Sequence, residues 1–74
     1  MAVSKKTLKD YDFNSMFDYY NYIVDSITNG QRQQAKNLIS KLSKEQKKDA
    51  IQYFSIIGET EHDKEAEQLT LTLL

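Results

Sequence analysis

The chain contains no cysteine, no proline and only two glycines, Gly30 and Gly58, in 74 residues. Each shortage excludes something. Without Cys there is no disulfide to staple a small fold, no thiol nucleophile and no thiolate zinc site. Neither Gly sits in a loop of the kind that cradles phosphate. No apolar run approaches the roughly 20 residues of a membrane span, and the opening "MAVSKKTLKD" has lysines but no apolar core behind them, unlike a secretory signal. These shortages predict a soluble, cytoplasmic protein that is not an enzyme and holds no cofactor or metal. At this length one small domain is expected, burying a modest fraction of its surface. Its stability must then come from efficient helix packing or from self-association.

Charge is present in quantity but its signs are segregated. The total is -1, with Lys+Arg 10 against Asp+Glu 11. Up to Gly30, Lys5, Lys6 and Lys9 face Asp10, Asp12, Asp18 and Asp25. From Gln31 to Gly58, Arg32, Lys36, Lys41, Lys44, Lys47 and Lys48 outnumber Glu45 and Asp49. Beyond Gly58, Glu59, Glu61, Asp63, Glu65 and Glu67 outnumber Lys64. A neutral total thus hides a basic middle and an acidic end.

The two glycines divide the chain into three blocks, and both are expected to end helices in the left-handed conformation that Gly adopts without steric cost. In "FNSMFDYYNYIVDSITNG", Asn14 or Ser15 offers an N-cap. Phe13, Met16, Phe17, Tyr20, Ile23, Val24 and Ile27 recur at the spacing of one helix face. In the second block, Ala35, Leu38, Ile39 and Leu42 form one stripe, and Ala50, Ile51, Phe54 and Ile57 form another. Between them Ser43 and Gln46 match a capping box, so two helices meet at a tight turn. In the third, Thr60 caps a helix carrying His62, Ala66, Leu69 and Leu73 on one face, although "LTLTLL" also alternates like a strand. The reading is all-α: an antiparallel bundle of three to four helices, at about 14–29, 31–41, 44–57 and 60–72, forming a single domain over 13–74. Residues 1–12, with only Val3 and Leu8 to touch a core, are expected to form a flexible arm.

Two surfaces compete for a functional role. Tyr20 lies on the apolar stripe, whereas Tyr19 and Tyr22 lie off it on an adjoining face, beside Asp18 and Asp25 and with Tyr53 in reach. Tyrosine offers large apolar area at low entropic cost and is enriched in protein-binding surfaces. The plainer account is a half-buried rim around a small core. Arg32, Lys36, Lys44, Lys47 and Lys48, interspersed with Gln31, Gln33, Gln34 and Asn37, form the alternative, a nucleic-acid face. Its frame is wrong for a helix-turn-helix, because Ile39 stands where the turn Gly belongs. The acidic last block supplies a simpler account: it folds back on the basic helices. A third possibility is self-association through Leu69, Leu71, Leu73 and Leu74. Glu59 and His62 have the Glu-x-x-His spacing of carboxylate-bridged metal bundles, but no second such pair exists.

The segments "YNYIVDS", "NGQRQQAKNLI" and "LSKEQKKDAIQYF", spanning Tyr19 to Phe54, resemble a pattern found in small helical accessory proteins of tailed bacteriophages, including phages of marine cyanobacteria. The resemblance implies a context: a protein made in the cytoplasm of an infected bacterium that binds and redirects a host or phage protein. It assigns no site residues. The function expected from the whole reading is a non-enzymatic interaction protein presenting a helical face to a protein partner.

Overall fold

The structure, a computed structural model, describes residues 2–74. Five helices follow in order: α1 (Lys5–Asp10), α2 (Met16–Thr28), α3 (Arg32–Ser40), α4 (Lys44–Ile57) and α5 (Glu61–Thr72). No strand occurs among the described residues. The all-α expectation holds, but the count of three to four falls short by α1, which lies within the segment expected to be a flexible arm.

The helix starts follow the capping chemistry closely. Ser43 Oγ accepts from the Gln46 amide at 3.1 Å, and Gln46 Oε1 accepts from the Ser43 amide at 2.9 Å. Thr60 and Asp63 make the same reciprocal pair at the head of α5. At α2 the Ser15 side chain makes no cap bond. Instead the Asp18 carboxylate accepts from the Asn14 amide at 2.8 Å, so the first-turn acid of α2 ties down the residue just ahead of its N-cap.

The helix ends differ from expectation in one case. Gly30 has φ 77, and the amides of Gly30 and Gln31 donate back to Ile27 and Ser26, the paired bonds of a Schellman cap. Gly58, by contrast, is extended, with φ -69 and ψ 110. Its reason for being Gly is space: a Cβ there would stand 2.6 Å from Asp63 Cβ and closer still to the Phe54 carbonyl oxygen. The left-handed residue that the composition does not announce is Asp12, with φ 60. Asp12 and Phe13 donate to Lys9 and Leu8, so α1 ends in a Schellman cap without a glycine.

Packing centres on α2, which touches α3, α4 and α5, while α5 lies mainly along α4. The pairs Tyr19–Leu38 and Ser26–Gln34 run α2 and α3 antiparallel. The three-residue link Gly58–Thr60 and the pair Lys47–Leu73 do the same for α4 and α5. The core holds Tyr19, Tyr20, Ile23, Ile27, Leu38, Ile39, Leu42 and Phe54, with Ala35, Ala50 and Ala66 where helices approach closely. The α-carbon radius of gyration, 11.0 Å, matches the roughly 11 Å expected of a folded chain this long, so the helices close on one core.

The N-terminal segment joins that core through Val3, which is buried. Gln46 Nε2 donates to the Val3 carbonyl at 2.8 Å, and Gln46 Oε1 accepts from the Val3 amide at 2.9 Å. One glutamine therefore caps α4 and clasps the chain's beginning. The last block is helical through Thr72, and the β-like alternation of "LTLTLL" is overridden because Thr70 is fully buried with its hydroxyl donating to the Ala66 carbonyl at 2.7 Å.

Candidate functional site

The tyrosine face expected for partner binding is divided by the fold. Tyr19 is not at the surface: it has no exposed area, and its hydroxyl donates to the Leu38 carbonyl at 2.7 Å. Tyr22 is half-buried and its hydroxyl accepts from Gln34 Nε2 at 3.0 Å. Asp18 is half-buried on its capping bond, and Asp25 is exposed. Tyr53 belongs elsewhere, stacked on Phe17 at 5.1 Å and donating to Asn21 Oδ1 at 2.9 Å. Two aromatic clusters result, one on each flank of α2. Tyr11, Phe13, Tyr19 and Tyr22 pack where α1 joins α2. Phe17, Tyr20, Tyr53 and Phe54 pack between α2 and α4.

The reason is a rotation of α2 about its axis. Its buried residues are Tyr19, Tyr20, Ile23, Ser26 and Ile27. At about 100° per residue, that arc lies roughly 60° away from the stripe the apolar pattern marks. Ser26 conceals the shift. It is buried, with its hydroxyl donating to the Tyr22 carbonyl at 2.9 Å and accepting from Gln34 Nε2 at 2.9 Å. A satisfied hydroxyl costs little to bury, so Ser26 sits inside while Phe17, nominally on the stripe, is 54% exposed.

What the rotation exposes is a groove of about 270 Å³ between α2 and α4, lined by Phe17, Asp49, Gln52, Tyr53, Ile56 and Ile57. Ile56 is 72% exposed and Ile57 56% exposed. Of the residues expected to bind a partner, only Tyr53 lines it. Ile57, expected on the buried stripe of α4, is outside the core. The signal in the sequence was "FSIIG": with Phe54 turned inward, two adjacent isoleucines at a helix end cannot both follow it. Asp49 is fixed at the opposite end of the groove, its Oδ2 accepting from the Tyr20 hydroxyl at 2.8 Å. Burial raises the pKa of the Tyr20 phenol above its ordinary value, and the bond to Asp49 raises it further. Burial, with a smaller contribution from Tyr11, does the same at Tyr19.

The basic residues are partly engaged within the chain. Arg32 forms a two-pronged pair with Glu65: Nε donates to Oε2, and Nη2 donates to Oε1 at 3.0 Å. The hydrogen bond from Arg32 holds the Glu65 carboxyl below the usual carboxylate range. Lys47 Nζ donates to the Leu73 carbonyl at 3.1 Å, at the C-terminal end of α5, where a cation suits the helix dipole. Lys36, Lys44 and Lys48 remain exposed. The acidic block therefore folds onto the basic helices, and the nucleic-acid face loses two of its five cations to α5. Leu69 and Leu73 pack against the core, leaving Leu71 and Leu74 exposed. Among the described residues no group of three or more His, Cys, Asp or Glu is placed to hold a metal ion, and no helix is long and apolar enough to cross a membrane. The outcome is a small all-helical protein in which three of the most exposed large apolar side chains, Phe17, Ile56 and Ile57, line one groove between α2 and α4. No family model, no curated protein and no solved structure matches the chain.

Proposed function

We propose that this protein is a non-enzymatic interaction module that binds a protein partner through the α2–α4 groove. One observation carries the reading: Phe17, Ile56 and Ile57, three large apolar side chains, stand exposed around a single depression backed by the Tyr53 ring. Clustered exposed apolar residues with an aromatic floor and a polar rim are the anatomy of a docking surface. The resemblance of "YNYIVDS" and "LSKEQKKDAIQYF" to tailed-phage accessory proteins supports a host or phage protein as the partner, met in the bacterial cytoplasm. The α1-side tyrosines support the fold, with Tyr19 sealed in the core.

The test is capture from nuclease-treated bacterial lysate at low and high salt, comparing the wild-type chain with Ile56→Asp. Because Ile56 is 72% exposed, the substitution should leave the helical circular-dichroism spectrum intact. A stoichiometric protein retained by wild type at high salt and lost by Ile56→Asp supports the reading. Equal retention by both removes the groove from consideration.

A further inference from the structure

The groove has a direction and a charge, and both bear on what fills it. Its α4 wall is built from Asp49, Gln52, Tyr53 and Ile56, positions one and two turns apart on one helix face. A wall of this kind matches a helix laid alongside, whose own anchors recur at three- and four-residue spacing. An extended peptide adding to a sheet edge has nothing to pair with, since no strand exists among the described residues.

The electrostatics favour a cationic occupant. The only charged residue lining the groove is Asp49, and one of its oxygens is already held by Tyr20. At the other end, Ile56 and Ile57 stand in the last turn of α4, where the helix dipole is negative and no basic residue compensates it. Lys48, next to Asp49 in sequence, is not part of the lining, and Lys47 is turned to the end of α5. The charge the groove presents is therefore negative: the Asp49 carboxylate at one end and the uncompensated C-terminal turn of α4 at the other, with the first turn of α2 offset by its own Asp18. A second copy of this chain fits poorly, because an isologous pairing would set the same negative groove against itself.

Building on the docking role assigned to this groove, we propose that its occupant is an amphipathic helix of the partner protein, with apolar residues on one face flanked by Lys or Arg. The apolar residues seat against Phe17, Tyr53, Ile56 and Ile57. The cations lie over Asp49 and over the C-terminal end of α4.

The test uses the full chain and two synthetic amphipathic peptides of equal length, one Leu/Lys and one Leu/Glu, followed by amide chemical shifts. The expected result is that the Leu/Lys peptide shifts Phe17, Gln52, Tyr53, Ile56 and Ile57, and that the Leu/Glu peptide does not. Ile56→Asp discriminates further. It adds a negative charge, so attraction by charge alone would tighten, whereas docking on the apolar wall weakens by about tenfold or more, corresponding to about 1.4 kcal/mol. Comparable binding of the Leu/Glu peptide in the groove overturns the cationic assignment while leaving the docking role intact. Shifts confined to other residues, or tighter Leu/Lys binding by Ile56→Asp, overturn the proposal. Concentration-dependent shifts of the groove residues without peptide also overturn it, in favour of self-association. Failure of the docking role itself is read separately, from equal partner capture by wild type and Ile56→Asp.

Discussion

Tyr19 and Tyr20 are neighbours in sequence, and each buries a phenol whose hydroxyl reaches across to another helix: Tyr19 to the Leu38 carbonyl, Tyr20 to Asp49. Adjacent residues on a helix point about 100° apart, so burying both requires α2 to be covered on two sides. Their cost appears in alkali. A phenol whose folded pKa lies above the ordinary value of 10.0 stays protonated in the native state while the unfolded chain releases its proton. The unfolded state then binds fewer protons, and stability falls as pH rises. Stability attributable to these two groups should be level below about pH 10 and decline above it, by up to about 1.4 kcal/mol per pH unit for each. Urea midpoints measured between pH 8 and pH 11 report this, and Tyr19→Phe should flatten the decline. An unchanged slope in that variant would show that Tyr19 is free to ionise in the folded state.

At the level of elements, the caps decide where helices stop, and Asp12 is the informative case. The left-handed conformation costs an L-residue about 1–2 kcal/mol, with Asp among the more tolerant types. Replacing Asp12 by Gly should relieve about 1 kcal/mol of that, raising the melting temperature by roughly 4–8 °C for a domain of this size. A fall would mean that the Asp12 side chain contributes more than its backbone costs. The contrast with Gly58 shows what was legible. Four of the five helices follow from apolar spacing and capping pairs alone, since Ser43–Gln46 and Thr60–Asp63 are local chemistry. The short α1 was not legible, because it buries no residue of its own and so writes no stripe. The orientation of α2 was not legible either. Hydropathy ranks Phe17 above Ser26, but a hydroxyl bonded one turn back is nearly neutral to bury, so tertiary packing determined the register. The α2–α4 groove was hidden for a related reason: the apolar stripes of α2 and α4 claimed Phe17 and Ile57 for the core, and both line the groove instead.

For the molecule as a whole, the basic middle and the acidic end of the chain meet at one ion pair. Arg32–Glu65 fastens α5 to α3, and the Lys47 ammonium on the Leu73 carbonyl fastens α5 to α4. An exposed ion pair is screened by solvent and adds little to stability, so these contacts orient α5 while the buried Ala66 and Thr70 hold it. The clasp of Gln46 on Val3 is of another kind, because it joins residues 43 apart in sequence. It is the longest span bridged by a side-chain hydrogen bond among the described residues, comparable with the α2–α5 packing that closes the body, so its loop-closure cost is among the largest in the fold. Because α1 buries no residue and the segment before it adds only Val3 to the core, the clasp is expected to form after the α2–α5 body has assembled. Val3→Ala, removing about 1–2 kcal/mol of burial, should leave the folding limb of a stopped-flow chevron unmoved and accelerate unfolding by about 5–30-fold. That outcome would make the Val3 clasp a determinant of how long the native state lasts rather than of how quickly it forms.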